Sequence, residues 1–300
     1  MTSRAGCAPC GTGRCRALGS PAPQLPAASA RTQATRCRRS DNRSVRQSEP
    51  RSRKPASETR ARLLAVAVDR VRGEGLLLDY SNIELEDLIR VSGVPRSTVF
   101  RIWPDRVAFV ADLVRALFEA DPGFQTGFDG ETLELLEGTL AQAGDRARSQ
   151  EDQQIALRSM VQATVAHNIV AVDGSVAWRA YRTMSAALAS GDSVPGGAEI
   201  RALLSEIEGA YVDRMAVMYA RVNGAIGFRM RQGVTERDLA VAIMSVIDGM
   251  SDHRRIDPAF VDEPRFVDMG AEGAQGWHLA ALAVYGVYSC LTEPVSNDTA

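Results

Sequence analysis

The amino-acid sequence predicts an all-α protein with an Arg-rich disordered tail (1–56), a three-helix helix-turn-helix domain (57–104) and a helical C-terminal domain (105–300). Three observations support this fold class. Apolar residues recur at helical spacing from residue 57 onward, and no segment alternates apolar and polar residues as a half-buried strand would. Short segments that contain Gly or Pro separate several of the periodic segments, as expected between helices.

The length and composition are those of a globular protein with more than one domain. The chain has 300 residues, of which 45% are apolar, so a sizeable core is available. No stretch approaches the roughly 18 uncharged apolar residues of a membrane span, and the N-terminus has no apolar run typical of a secretory signal. We therefore expect a cytoplasmic protein without a membrane partner.

The tail differs from the rest of the chain in charge. Residues 1–56 contain twelve basic and two acidic residues, a net charge of +10, so residues 57–300 carry −12 of the overall −2. The tail lacks periodicity and large apolar residues and cannot bury enough surface to fold. Its cysteines (Cys7, Cys10, Cys15 and Cys37) could offer thiolates to zinc, but no histidine assists and the last gap is long, so we expect no metal site.

The first helix is indicated by Leu64, Ala67, Val68 and Val71, which recur at helical spacing, and it should end near Gly73 and Gly75. Ser81 and Glu84 could form a capping box that opens a second helix over Glu84–Val91. Gly93 would end this helix as a left-handed cap.

A third helix is predicted over Pro95–Ile102, because the fixed φ of proline suits the first turn of a helix. Pro104 closes the unit, and a fourth helix over Asp105–Glu119 leads to a break at Asp121-Pro122-Gly123. Further helices are predicted at 130–143, 152–171, 175–189, 198–231, 235–253 and 276–291. Residues 254–275 are rich in Asp, Pro and Gly and predict a long loop.

The second and third helices, joined through Gly93, form a helix-turn-helix. The later helix of such a pair can enter the major groove of DNA, about 12 Å wide, while the earlier one lies across the backbone. Leu88, Val94 and Val99 would form the packed side of the helix-turn-helix, together with Trp103. Residues 88–106 contain Arg90, Arg96, Arg101 and Arg106 against Asp105 alone, a local charge of +3 that suits phosphate binding.

These residues resemble the TetR family of transcriptional regulators from about Thr59 to Phe109. The similarity runs through the Gly93-Val94 turn, the Arg-Ser-Thr run at 96–98, aromatic residues at 100 and 103, Pro104 and a basic residue at 106. Beyond Phe109 the resemblance is only architectural. It implies a dimeric regulator that binds operator DNA, with repression released by a small molecule as its default mode.

The resemblance also implies roles for individual residues of the third helix. Arg96, Ser97 and Ile102 would face base edges, and Thr98, Arg101 and Arg106 would meet phosphates. Phe100 stands at the family's usual tyrosine and keeps the ring without the hydroxyl that often donates to phosphate. Glu84 stands where a threonine is common, and its carboxylate should weaken the approach to the DNA backbone.

No enzyme signature is visible, so we expect no catalytic residues, no cofactor and no metal. His167, His253 and His278 form no metal spacing, Ser193 and Ser205 lie in no nucleophile elbow, and no Gly-rich phosphate loop follows a strand. The alternative function is a helical small-molecule-binding protein or enzyme that keeps the N-terminal fold without specific DNA binding.

A ligand pocket is predicted in the C-terminal domain from large, adaptable side chains on neighbouring helices. They are Trp178, Tyr181, Met184, Tyr211, Met215 and Met218. With few charged residues on the same faces, the expected effector is apolar and uncharged or weakly polar. For any single one of these residues, ordinary core packing is the alternative.

A homodimer is predicted through the helices near 235–253 and 276–291, because each carries a broad apolar stripe that needs a partner. The first stripe consists of Leu239, Ala242, Ile243, Val246, Ile247 and Met250. The second consists of Leu279, Leu282, Ala283, Gly286 and Val287. The alternative is that both helices pack only within one subunit.

Overall fold

The computed structural model describes residues 55–76, 83–144, 149–190, 196–269 and 273–295. The predicted tail therefore lies almost entirely outside the described residues, as do Ser81 and Ser193. Within these ranges the helices are α1 (Ala56–Glu74), α2 (Leu85–Ser92), α3 (Arg96–Ile102), α4 (Arg106–Glu119), α5 (Pro122–Thr126), α6 (Gly130–Gly144), α7 (Gln150–Gly174), α8 (Val176–Ala189), α9 (Gly197–Ile226), α10 (Glu236–Ile256), α11 (Pro258–Asp262) and α12 (Leu279–Leu291). The strands are β1 (Phe228–Met230), β2 (Arg265–Asp268), β3 (Ala274–Trp277) and β4 (Thr292–Pro294). The predicted all-α class is confirmed.

The N-terminal helices form a three-helix unit around an apolar centre. The predicted stripe of α1 is buried against α2, α3 and α4. The helix ends at Glu74 because Gly75 takes a φ of 77°, a conformation that glycine adopts at no steric cost. α2 begins at Leu85 with Glu84 as its N-cap and without a side-chain cap bond, and Ser81 of the predicted capping box lies outside the described residues.

The longer helices build the core of the C-terminal part. α7, α9, α10 and α12 pack against one another, and α6 lies on α7 and α9. α7 is the one helix of the described residues long and apolar enough to cross a membrane by length and composition, with a mean hydropathy of 1.2. It packs against α6, α10 and α12, with Leu157, Val161 and Ile169 buried, and it serves as a core helix here.

α4 joins the three-helix unit to the C-terminal helices. It packs against α1 on one side and against α8 and α9 in the C-terminal part. All described residues fall in one compact unit that spans 52–300. The domain boundary predicted after residue 104 stays a prediction.

Four short strands contradict the expectation of a strand-free chain. α9 ends at Ile226, short of the predicted 231, because Gly227 adopts a left-handed φ of 74°. The following β1 pairs antiparallel with β4, with Phe228 opposite Pro294. The predicted loop at 254–275 contains the end of α10, the whole of α11, β2 and the start of β3, and β3 extends to Trp277, opposite Arg265, so that α12 begins later than the predicted 276. Strands of three or four residues are too short to show the alternation that identifies strands in sequence.

The break predicted at Asp121-Pro122-Gly123 is the start of α5. The Asp121 carboxylate accepts from the Phe124 amide at 2.9 Å, and Pro122 lies in the first turn. The same carboxylate accepts from the Ser175 hydroxyl at 2.6 Å, while Ser175 Oγ accepts from the Trp178 amide at 3.2 Å and caps α8. Two helix starts are therefore joined through one pair of capping side chains.

The start of α9 lies directly against α4. Gly196, the N-cap of α9, has a φ of 68°, and a Cβ atom built at this position would overlap the Val107 side chain. Only glycine fits here, both for its backbone conformation and for lack of space.

The apolar stripe predicted on α10 divides into two faces. Leu239, Ile243 and Ile247 are buried within the subunit, whereas Ala242, Val246 and Met250 are partly exposed. On α12 the inward side chains are Ala280, Ala281, Val284 and Tyr288. Every residue of the stripe predicted on α12 is partly or fully exposed, with Gly286 the most open.

Candidate DNA interface and ligand cavity

The turn of the helix-turn-helix is set by Gly93 and Pro95. Gly93 adopts a φ of 64°, and its N–H donates to the Ile89 carbonyl at 2.9 Å. Pro95, the predicted first residue of α3, is its N-cap, so the helix begins one residue later than predicted, and the Pro95 carbonyl accepts from the Thr98 amide at 3.0 Å. The left-handed glycine ends α2 sharply and lets α3 leave in a new direction.

The packed side of this unit consists of the four residues that the sequence predicts. Leu88, Val94, Val99 and Trp103 are buried. The Trp103 ring packs edge-on against Phe109, with ring centroids 4.9 Å apart. The end of α3 is thereby fixed to the start of α4.

Asp112 of α4 connects three helices through its carboxylate. Its Oδ2 accepts from Trp103 Nε1 at 2.7 Å and from Arg60 Nε of α1 at 3.0 Å. Burial alone would raise the pKa of Asp112, but the hydrogen bonds from Arg60 and Trp103 hold this pKa below its ordinary value. The carboxylate is therefore charged at neutral pH and positions α3 relative to α1 and α4.

The outer side of α3 carries most of the residues predicted to contact DNA. Arg96, Ser97, Phe100 and Arg101 are exposed, and Thr98 and Ile102 are partly buried. The Arg96 guanidinium lies 5.3 Å from the centroid of the Phe100 ring, a cation–π arrangement. One face of α3 thus presents two arginines, a hydroxyl and an aromatic ring to solvent.

Several of the arginines that give this region its positive charge are already paired. Arg96 forms an ion pair with Glu86 at 2.5 Å, and Arg90 pairs with Asp87. Arg106 is partly buried, and its Nε donates to the Ile83 carbonyl at 3.1 Å. Arg101 is exposed and makes no ion pair within the described part of the chain, so it is the arginine of α3 most open to an external phosphate.

An aromatic cluster extends from α4 into the C-terminal helices. Phe118 of α4 packs edge-on against Phe124 at 4.9 Å and against Trp178 at 5.1 Å, measured between ring centroids. Trp178 in turn meets Tyr211 at 4.8 Å, and the Tyr211 hydroxyl donates to the Gly127 carbonyl at 3.0 Å. These rings connect the end of α4 to the interior of the C-terminal part.

Two narrow cavities lie in that interior. The first, which we call the outer cavity, is lined by Trp178, Tyr211 and Met215 together with residues of α7 and α10. The second, the inner cavity, is lined mainly by α7, α9, α10 and α12 and includes Met160. Both are mostly apolar, as most small-molecule sites are.

The structure brings three of the six residues predicted for the effector pocket together in the outer cavity. The other three lie outside both cavities: Met184 is fully buried, Met218 is partly buried, and the Tyr181 hydroxyl donates to Glu208 at 3.0 Å. The assignment of these six residues to a ligand stays a prediction.

Asp248 of α10 is a cavity-lining residue that the sequence reasoning missed. Its carboxylate accepts from Arg182 Nη1 at 3.3 Å. Burial raises the pKa of Asp248, although Arg182 acts in the opposite direction. Arg182 also approaches Asp173 of α7, so a partly buried charge network lies at the edge of the outer cavity.

Asn168 and Tyr219 were also missed, and both line both cavities. Asn168 follows Val161, Thr164 and Val165 at helical spacing, on the buried face of α7. A polar residue on an apolar stripe is the signal that identifies it in the sequence.

The described residues contain no group of three or more His, Cys, Asp and Glu side chains placed to hold a metal ion. His167 Nε2 lies 3.0 Å from Asp129 Oδ1, and His278 lies 3.3 Å from Asp262. Both of these histidines thus have a carboxylate neighbour on the protein.

No protein-family model matches the chain, and no curated protein is similar to it. Among solved structures, the chain resembles one described as a TetR-family transcriptional regulator from Rhodococcus sp., with 14% identity, a TM-score of 0.42, and coverage of 78% of this chain and 98% of that one. It also resembles a SmeT–triclosan complex (14% identity, TM-score 0.35, coverage 68% and 84%). A third is a TetR regulatory protein from Mycobacterium vanbaalenii (20% identity, TM-score 0.31, coverage 66% and 95%).

Proposed function

We propose that this chain is a cytoplasmic, dimeric transcriptional regulator that binds operator DNA through α3 and is released by a small molecule. The observation that carries the proposal is the outer face of α3, where Arg96, Ser97, Phe100 and Arg101 are exposed on a tightly packed helix-turn-helix. A helix supported in this way fits the major groove.

Within this proposal, Arg96 and Ser97 read base edges, and Thr98, Phe100 and Arg101 lie against the DNA backbone. Ile102 contributes only its exposed edge to base contacts, because the rest of its side chain packs on the core. Arg106 would have to leave the Ile83 carbonyl to reach a phosphate, so it supports the start of α2 in the free protein.

Dimerisation is proposed through the outward faces of α10 and α12. Val246 and Met250 of α10 and Leu282 and Val287 of α12 are apolar and only partly buried by their own subunit. A two-fold pairing of these faces would bury them and set the distance between the two copies of α3.

Release of the operator DNA by a ligand would follow from the connection between the outer cavity and α4. Trp178 and Tyr211 line the cavity and also belong to the aromatic cluster that contacts Phe118. A ligand that favours one position of these rings favours one position of α4. It lowers operator affinity only by its preference for that state.

The decisive experiment is selection of a binding site from random duplexes, followed by titration of three variants. Arg101→Ala should weaken binding to all sequences and reduce the salt dependence by about one released ion. Arg96→Ala should cost roughly 1 to 3 kcal/mol at one base position. Glu86→Gln should strengthen binding, because it removes a carboxylate that both pairs with Arg96 and repels phosphate. Arg72→Ala, an exposed change on α1, is the control.

The pairing of Arg90, Arg96 and Arg106 within the protein favours a second candidate. In that case the chain is a helical small-molecule-binding protein or enzyme that keeps the N-terminal fold without specific DNA binding. Weak, equal binding to all duplexes, unchanged in Arg96→Ala and Arg101→Ala, would favour this candidate over the regulator.

A further inference from the structure

The two cavities share one wall, which contains the polar residues Asn168 and Tyr219. The residues common to both are Phe128, Asn168, Tyr219, Ile243 and Ile247. A third, wider cavity meets the outer one at Phe128, Asn168, Val172, Trp178 and Tyr211 and is bordered by the segment around Gly123 and Gly127. The three cavities therefore follow one another from that segment to the interior of the helices, with Phe128 and Asn168 common to all.

Most polar groups that line the outer and inner cavities already have partners in the protein. The Tyr211 hydroxyl donates to the Gly127 carbonyl at 3.0 Å, and the Tyr288 hydroxyl donates to Asn223 Oδ1 at 2.5 Å. Thr164 Oγ1 donates to the Met160 carbonyl at 2.9 Å, and Asp248 accepts from Arg182. None of these groups needs a ligand.

Asn168 and Tyr219 at the shared wall, and the Trp178 indole N–H in the outer cavity, are the exceptions. Asn168 and Tyr219 are 8% and 7% exposed, and neither side chain forms a hydrogen bond with any other described residue. Burial raises the pKa of the Tyr219 hydroxyl well above its ordinary value, so the group stays a neutral donor. An amide and a hydroxyl that face the cavities without a protein partner can both bond to a ligand oxygen.

We propose that the occupant of the outer and inner cavities is an uncharged, mainly apolar molecule with one hydroxyl or carbonyl group, held by Asn168 and Tyr219 at their shared wall. This inference rests on the ligand-controlled function proposed above and names the class of its ligand. The Tyr219 hydroxyl and the Asn168 amide donate to the ligand oxygen, and Asn168 Oδ1 accepts from a ligand hydroxyl. The apolar part lies against Ile243, Ile247 and Phe128.

The charges at the two cavities disfavour both an anionic and a cationic ligand. Asp248 is the one ionisable carboxylate among the residues that line these two cavities, and no lysine or arginine lines either. An anionic ligand would therefore be buried without a counter-ion, which is unfavourable. A cationic ligand would have to compete with Arg182 for Asp248, which already lies 3.3 Å from Arg182 Nη1.

The test uses the full chain and four small probes of one shape: 4-ethylphenol, ethylbenzene, 4-ethylbenzoate and 4-ethylbenzylamine. Their dissociation constants are measured by titration calorimetry with the wild type, a Tyr219→Phe/Asn168→Leu variant and a Thr164→Val control. Ethylbenzene reports any change in packing, so the ratio of its dissociation constant to that of 4-ethylphenol isolates the hydrogen bonds. We expect this ratio to fall about tenfold in the double variant and to stay unchanged in Thr164→Val, whose hydroxyl bonds to the protein.

Thermal unfolding without ligand gives a second, independent readout. Tyr219→Phe should keep or raise the Tm, because its hydroxyl lacks a partner, whereas Tyr288→Phe should lower it by leaving Asn223 unpaired. A fall in Tm for Tyr219→Phe equal to that for Tyr288→Phe would overturn the assignment of Tyr219 as a free donor.

Three further outcomes would overturn the ligand class: tightest binding by the amine or the benzoate, an unchanged ratio in the double variant, or no binding of 4-ethylphenol at millimolar concentration. Neither measurement involves DNA. Failure of operator binding would therefore refute the regulator and leave the ligand site standing, and the reverse result would refute the ligand site alone.

Discussion

Replacing Asp112 by alanine is expected to loosen the three-helix unit that carries α3. The carboxylate accepts from the Trp103 indole at 2.7 Å and from Arg60 at 3.0 Å. Trp103 is only 2% exposed, so its N–H would lose its partner without gaining water.

The structure allows an estimate of the size of this effect. A buried donor left without an acceptor costs about 1 to 3 kcal/mol. The Arg60 pair adds little, about 0 to 1 kcal/mol, because Arg60 is half exposed. Asp112→Asn keeps an acceptor for Trp103 and loses the charge pair, so it should destabilise the protein less than Asp112→Ala.

The dependence on pH follows from the lowered pKa of Asp112. A carboxyl whose pKa lies below its ordinary value of 3.8 in the folded state contributes stability above that value and loses it as the pH falls through the lowered pKa. The difference in unfolding free energy between wild type and Asp112→Asn should therefore shrink as the pH falls from about 7 to about 3.

Urea unfolding followed by circular dichroism at fixed protein concentration measures these differences. Asp69→Ala, which removes a largely exposed partner of Arg72 on α1, is the control and should change the midpoint little. Equal midpoints for wild type and Asp112→Ala at neutral pH would refute the reasoning, as would a difference from Asp112→Asn that grows on acidification.

Two further substitutions test the turn and the dimer. Gly93→Ala should destabilise the fold by about 1 to 2 kcal/mol, because alanine is strained at a φ of 64°, and a urea midpoint equal to that of the wild type would contradict the left-handed turn. Val246→Asp, on the outward face of α10, should give a folded monomer at micromolar concentration in sedimentation analysis, and a folded dimer would move the proposed interface elsewhere.

The helix-turn-helix could be predicted from sequence because its signals are local. Gly93 and Pro104 mark chain reversals, and Val94, Val99 and Trp103 follow the spacing of a buried face. Each of these signals depends on residues within one or two turns of a helix. The observed bounds of α3 and α4 accordingly differ from the predicted ones by a single residue at their starts.

The division of the α10 stripe into a face buried in its own subunit and an outward face could not be predicted, because the stripe is continuous in sequence. Ile247 is 6% exposed and lines both cavities, so a charge there would disrupt the subunit itself and would not report on a dimer. Whether an apolar face meets its own chain or another depends on how distant helices pack, and periodicity carries no information on that.

The ion pairs of the arginines near α3 could not be predicted from the sequence either. Counting charges over 88–106 gives +3, but Glu86 and Asp87 lie just outside that range and pair with Arg96 and Arg90. Arg106 bonds to a backbone carbonyl 23 residues earlier in the chain. Such partners become visible only when the helices are placed in space.

Because Gly196 lies close to Val107, moving α4 toward α9 costs more energy than moving α4 away from it. With no space for even a Cβ atom at Gly196, any advance of α4 toward α9 meets steep repulsion at once. Movement in the opposite direction forfeits only part of a dispersion contact, roughly a quarter to a half of it for a gap of 0.5–1 Å. The backbone at Gly196 thus limits movement of α4 toward α9.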